Sequence, residues 1–384
     1  MVNRSILIFG AGKIGRSFIG QLFGKQGFEV VFVDTDPALV DSLNRRLSYT
    51  VVIRGPEREE RIRVANVRAI HGSDRKTVVR EIVHTGIMAV SAGKRALPAI
   101  AALVAEGLKA RQNIHPGEPL DIILAENMRR AEDFFRERVR ETLPPGFPLD
   151  RQVGLVETSI GKMVPLMTGQ DLVEDPLQVF AEPYNTLILS RQGFRGEIPD
   201  IPEFALKDHM KAWVDRKAFI HNLGHATAAY SGHLKRPGAI FMYEVLEMEP
   251  VRRFTRQVMQ ESAEILLSAY PGEFTRAELH DHIEDLIERF RNRNLGDTVF
   301  RVGSDLHRKL GSDDRFMGIL RLAQKLDKPY QKISESMAMG FRFRATGEDG
   351  NPLPEDQLFH QSISSNPIKV LKEVCGLDSE KDAE

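Results

Sequence analysis

Lys217, Asn222 and His225 stand in the pattern K-x4-N-x2-H inside the segment DRKAFIHNLGHATAAY, residues 215–230. An ideal helix turns about 100° per residue, so with Lys217 at zero, His225 falls near ~80° and Asn222 near ~140°. One helix face would then carry an amine, an amide and an imidazole. That set suits the oxidation of an alcohol. A lysine of lowered pKa takes the hydroxyl proton, and neighbouring donors hold the developing alkoxide. The three residues span about 12 Å of helix axis. Lys217 must lean inward, or the helix must bend, for all three to meet one oxygen. A helix that simply packs on its neighbours could carry the same three residues. His221 falls on this face too, near ~40°, and reads as a supporting or packing residue.

A hydride-transferring cofactor would need its own site, and the N-terminus offers one. Gly10, Gly12 and Gly15 form G-x-G-x-x-G directly after the apolar run SILIF (5–9). The first glycine permits a tight turn, the second lets the backbone approach a pyrophosphate, and the third allows close packing of helix on strand. The helix N-terminus offers free N–H groups to the phosphates. Asp34, 19 residues past Gly15, ends the second expected strand. A carboxylate there accepts from ribose hydroxyls and repels a 2′-phosphate, so NAD is expected over NADP. Phe9, Ala11, Lys13 and Ile14 fill out the turn. Ser91, just past the expected strand 87–90, completes the expected cofactor contacts. Asp36 competes with Asp34 for the ribose but suits the cap of the next helix better.

These residues need a frame. Strand is expected at 5–9, 29–33, 87–90 and 122–125, each followed by helical sequence. One more strand is expected after 150, with a loop reaching Pro165. The reading is an α/β Rossmann-type doubly wound parallel sheet over residues 1–190. A mainly α-helical C-terminal domain is expected over 191–384. Residues 183–203, with three prolines and two glycines, read as the connection.

Composition narrows the function classes. The 384 residues carry 53 basic and 54 acidic side chains, a net charge of -1. No global basic excess points to nucleic acid or an anionic membrane. The single cysteine, Cys375, excludes an internal disulfide and a cysteine-based zinc site. No apolar run approaches the roughly 20 residues of a membrane span. The opening MVNRSILIFGAG does not read as a signal peptide, and a cytoplasmic setting is expected. His280 and His282 resemble a metal pair, but residues two apart on a helix point away from each other, and a solvated face is expected there. Ser159 has no G-x-S-x-G context for a hydrolase. The RRFTRQ and ERFRNR runs read as charged helix faces balanced by glutamates.

The chain resembles the mannitol dehydrogenase family, the polyol-specific long-chain dehydrogenases, whose signature is K-x4-N-x2-H. The resemblance covers nearly the whole sequence. It rests on FGAGKIGRSFIG (9–20), LNRRLSY (43–49), AENM (125–128), VDRKAFIHNLGHATAAY (214–230) and DLHRKLGSDDR (305–315). It implies NAD as cofactor, no metal, and Lys217 as general base. Asn222 and His225 would orient the substrate and stabilise the alkoxide, and Asn127 would complete the oxyanion site. Arg308 and Lys309 match a basic pair that contacts the sugar or its phosphate; for both, and above all for Lys309, a solvated helix end is the alternative. The closest likeness is to members acting on a sugar phosphate, which implies interconversion of D-mannitol 1-phosphate and D-fructose 6-phosphate by a monomer or homodimer. Related polyols or hexuronates are the alternative substrates, and a non-catalytic NAD sensor is the rival class. The chain departs from the family at Gly161-Lys162, where an Asp-Arg pair is common, and at Ser304, where an arginine is.

Overall fold

A computed structural model describes residues 4–377 except 166 and 168. Contacts divide the chain into two units, Met1–Val214 and Asp215–Glu384.

In the first unit the strands are β1 (Ser5–Phe9), β2 (Glu29–Asp34), β3 (Ser48–Arg54), β4 (Glu59–Ala65), β5 (Val67–His71), β6 (Ile87–Val90), β7 (Leu120–Leu124), β8 (Val153–Ser159), β9 (Val179–Ala181), β10 (Leu187–Ser190) and β11 (Phe204–Lys207). Eight of them form one sheet in the order β11-β10-β8-β7-β6-β1-β2-β5, and β4-β3-β9 form a second. All neighbours in the large sheet are parallel except β8 and β10. Side chains alternate across a strand. Ile6 and Ile8 therefore enter one core while Leu7 and Phe9 enter the other. Burial on both faces is why these strands read as unbroken apolar runs. Each such side chain contributes about 1.5–3 kcal/mol by leaving water.

From β1 the chain winds outward through β2 to β5, then returns to place β6 on the opposite side of β1. The carboxyl ends of β1 and β6 are thus the switch point where an open α/β sheet binds ligands. Gly10 follows β1 and Ser91 follows β6, which brings the expected cofactor residues to this crevice.

Two sequence expectations change. The supposed connection 183–203 contains β10, and β11 pairs parallel with it from Leu187↔Phe204 to Ser190↔Lys207. The division accordingly falls after Val214, later than the expected boundary at 190/191.

The second unit is helical. Its principal elements include Leu223–Lys235, Glu249–Ala269, Arg276–Phe290, Met317–Lys325, Gln331–Phe341 and Pro354–Ser365. Small residues set their close approach: a Cβ on Gly232 would lie 2.5 Å from Val245, and one on Gly340 would lie 2.8 Å from Tyr230.

Candidate active site

The glycine turn is built as its residue types demand. Gly10 has φ +95°, and a Cβ there would lie 2.6 Å from the Ser91 carbonyl oxygen. Only glycine combines that dihedral with that approach. A Cβ on Gly15 would lie 2.0 Å from Gly10 O, whereas one on Gly12 would meet nothing within 4 Å. The backbone is therefore packed beneath the turn and open above Gly12, where a pyrophosphate would approach. Ser91 Oγ lies 3.3 Å from Phe9 O and 3.2 Å from Gly10 O, tying the two strand ends together. Asp34 is partly buried at the end of β2. Ala11 N–H donates to its Oδ2 (2.7 Å) and Asp36 N–H to its Oδ1 (3.1 Å). A carboxylate has about four lone-pair sites, so Asp34 can fasten the turn and still accept from a ribose. Asp36 caps the helix Pro37–Arg46, taking N–H bonds from Ala38 and Leu39. The residues present fit a dinucleotide.

Arg16, which sequence reasoning passed over, is buried beside this turn. Its Nε donates to Ala11 O and its Nη1 to Leu177 O, both at 2.7 Å. Asn127 is exposed just past β7. Its neighbour Glu126 is buried and takes the Gly93 N–H at 2.9 Å. Burial raises the Glu126 pKa.

The signature lysine does not sit on an ordinary helix. Lys217–Asn222 is a π turn that runs directly into Leu223–Lys235, and Leu223 N–H bonds to Ala218 O, five residues back. In such i→i+5 geometry each residue turns the helix by less than the ~100° of an α-helix, which brings residues five apart closer together in angle. Lys217 and Asn222 therefore share a side, where an ideal α-helix would splay them.

A π turn frees backbone carbonyls from the helical ladder, and others must satisfy them. Ser262 Oγ donates to Phe219 O at 2.6 Å. Arg315 Nη1 donates to Asn222 O at 3.0 Å. Arg315 is itself buried, and its Nε donates to Asp314 Oδ1 at 2.7 Å. Neither Ser262 nor Arg315 was singled out from sequence. Arg315 closes the 305–315 block, and the block's match was the available signal.

Electrostatics favour a basic lysine. Burial, then the Arg315 charge, lower the Lys217 pKa to about 8; Asp314 opposes and Arg308 adds to the fall. The His225 ring stacks on Phe290, centroids 4.4 Å apart and planes within 6°. Burial, with Arg301, Lys309, Arg315 and Arg289, holds its pKa well below the ordinary value. His221 is likewise lowered by burial, then by Arg289 and His225. Both imidazoles are neutral near pH 7.

The basic pair divides. Arg308 is half-exposed and ion-paired to Asp305 and, at 3.3 Å, to Asp314. Lys309 is buried, and its ammonium donates to Val302 O (2.6 Å) and to Ser304 O. Its charge is spent on main chain rather than on a solvated helix end. Burial, with Arg315 and Arg308, brings its pKa to about 7. Ser304, at the family's arginine position, is buried against this ammonium. Lys162, at the other departure, is buried and donates to Asn185 Oδ1 at 2.6 Å.

Of the discounted residues, His280 is exposed but His282 turns inward, and burial with Arg216 and Arg289 depresses its pKa. The solvated face expected there holds for His280 and Asp281, while His282 is half-buried. Among the described residues no group of three or more His, Cys, Asp or Glu side chains could hold a metal ion, and no helix is long and apolar enough to cross a membrane.

A dinucleotide crevice at a Rossmann switch point, with a lysine–amide–imidazole set on a helical unit, is the equipment of a nicotinamide-dependent oxidoreductase. The family comparisons agree. Residues 4–203 match the mannitol dehydrogenase Rossmann domain and residues 209–375 the mannitol dehydrogenase C-terminal domain. The chain belongs to the mannitol dehydrogenase family. Among solved structures it is similar to a Pseudomonas fluorescens mannitol 2-dehydrogenase ternary complex with NAD and D-mannitol. That likeness has 15% identity and TM-score 0.75, covering 97% of this chain and 87% of that one. It is also similar to a D-sorbitol dehydrogenase in substrate-free form, at 15% identity and TM-score 0.78, covering 100% and 88%. At this identity the likeness speaks to fold.

Proposed function

We propose that this protein is a metal-independent, NAD-dependent polyol-phosphate dehydrogenase that interconverts D-mannitol 1-phosphate and D-fructose 6-phosphate, as a mannitol-1-phosphate 5-dehydrogenase does. One observation carries the chemistry. The π turn sets a lysine of pKa about 8 on the same side as an amide, in a neighbourhood of fixed positive charge.

Neutral Lys217 accepts the hydroxyl proton in oxidation, and its ammonium returns a proton to the oxygen in reduction. Asn222 offers an amide N–H to the alkoxide, and His225 contacts a substrate oxygen. Arg315 holds the turn that presents Asn222 and, after burial, favours the neutral, proton-accepting form of Lys217. Gly10–Gly15 and Asp34 would hold the cofactor, which would supply hydride acceptance in one direction and hydride donation in the other. Arg308 recognises the phosphate with its guanidinium, which suits bidentate contact with phosphate oxygens.

A second reading has specific support. Arg308 is already paired with Asp305 and Asp314, so a phosphate would compete with two carboxylates. An unphosphorylated polyol would leave those pairs intact.

Following NADH oxidation with fructose 6-phosphate, fructose, other ketose phosphates and hexuronates decides between them. Fructose 6-phosphate should give the highest kcat/KM. A wild-type preference for fructose would establish the second reading, and turnover of none of these would refute both.

A further inference from the structure

His225 has a ring nitrogen whose surroundings fix its chemistry. Its Nε2 is closed to solvent and has no hydrogen-bond partner. It faces Asp297 Oδ2 at 3.5 Å, and Asp297 is itself buried, 6% exposed. Stacking on Phe290 fixes the plane of the ring. The carboxylate is fixed as well. Its other oxygen takes a hydrogen bond from Arg301. Its backbone carbonyl accepts from Met242 N–H at 2.8 Å. The next residue, Thr298, caps the helix Val299–Gly303.

A neutral imidazole carries one N–H and one lone pair. A lone pair on Nε2 would face a buried carboxylate and repel it. An N–H there is attracted. The contact one ring nitrogen makes thus determines the tautomer, and the tautomer determines what the other nitrogen can do. Burial, then the charges of Arg301, Lys309, Arg315 and Arg289, disfavour a second proton.

We propose that Asp297 is a positioning residue that fixes His225 as the Nε2–H tautomer, so that Nδ1 accepts a hydrogen bond from a substrate hydroxyl instead of donating one to the reacting oxygen. The substrate role rests on the polyol dehydrogenase reading above. The oxyanion work then falls to Asn222 and the Lys217 ammonium. His225 becomes a reader of a second hydroxyl, the one beside the reacting carbon, and so a determinant of which alcohols are accepted.

The tautomer is measured on the full chain without substrate, from the ¹⁵N shifts of labelled histidine with His225→Gln for assignment. The expected wild-type signal is a protonated Nε2 and an unprotonated Nδ1. Asp297→Asn keeps an acceptor and should keep that tautomer, whereas Asp297→Leu should shift it toward Nδ1–H. In turnover, removing the hydroxyl beside the ketose carbonyl, as in 1-deoxyfructose 6-phosphate, should lower wild-type kcat/KM at least ~10-fold. The penalty should persist in Asp297→Asn and shrink in Asp297→Leu. A wild-type Nδ1–H tautomer, or one unmoved in Asp297→Leu, overturns the proposal. An intact Nε2–H tautomer with equal turnover of deoxy and parent substrates overturns the hydroxyl-accepting role. An intact tautomer in an enzyme that turns over no polyol or ketose refutes the functional reading and leaves the pairing standing.

Discussion

At the scale of single residues, Lys217 ties activity to pH. Its pKa falls from 10.5 to about 8, chiefly through burial. Polyol oxidation should therefore rise with pH through one ionisation near 8, and ketose reduction should weaken over the same range. Lys217→Ala should lower kcat by several orders of magnitude while NAD binding survives, with partial rescue by small amines. A flat pH profile would move the base elsewhere. The same depression fixes the sign of a stability effect. Below pH ~8 the lysine is charged in both folded and unfolded chains and pays for desolvation only when folded. That cost vanishes as pH rises from about 8 to beyond 10.5. Lys217→Met should thus raise Tm at pH 7 and lose that advantage above pH 10. Lys309 carries a similar desolvation cost, but Lys309→Met should lower Tm, because it strands the two carbonyls that the amine holds. Arg308→Ala should raise KM for fructose 6-phosphate well above its effect on fructose, read from initial rates. Equal effects on both would assign Arg308 to structure or to hydroxyl contacts.

At the scale of elements, the π turn explains what sequence could and could not convey. The K-x4-N-x2-H pattern located the segment, and a wheel drawn at ~100° per residue put Asn222 at the rim of the face, ~140° from Lys217. No local rule announces a π turn, because its freed carbonyls are satisfied by Ser262 and Arg315, which lie far off in sequence. Removing the Ser262 hydroxyl strands a buried carbonyl, at about 1–3 kcal/mol. Ser262→Ala should lower Tm by several degrees and reduce kcat, with the pH midpoint of oxidation unmoved. An unchanged kcat would show that the turn holds without it. The parallel strands were legible for the opposite reason. SILIF, EVVFV and IMAV are buried on both faces, so their composition alone marks them. β4 reads EERIRVA, with four of seven residues charged. It sits at a sheet edge, where charges discourage unwanted pairing, and its pattern gives no strand signal. β10 and β11 are hidden differently: each is only four residues long and lies near prolines, with β11 at the sheet edge and β10 paired between β11 and β8.

At the scale of the whole molecule, cofactor choice is read from stability as well as rate. A ligand that binds only the folded chain stabilises it by RT ln(1 + [L]/Kd), about 2.7 kcal/mol at a hundredfold excess over Kd. The crevice at β1 and β6 offers an open approach above Gly12 and a carboxylate at Asp34 that already holds the turn through Ala11 N–H. NAD⁺ should therefore raise Tm markedly. NADP⁺ should raise it little at the same concentration, because its 2′-phosphate meets that carboxylate. Asp34→Ala should narrow the gap from both sides. It removes the repulsion that excludes NADP⁺, and it also removes a bond to the glycine turn, so the ligand-free protein should itself melt lower. Prolonged dialysis against EDTA should change neither Tm nor turnover, since the proposed base is an amine. Equal stabilisation by the two cofactors in the wild type would sever Asp34 from cofactor choice and leave it only as the fastening of the turn. Activity lost to EDTA and restored by zinc would take the proton-transfer role from Lys217.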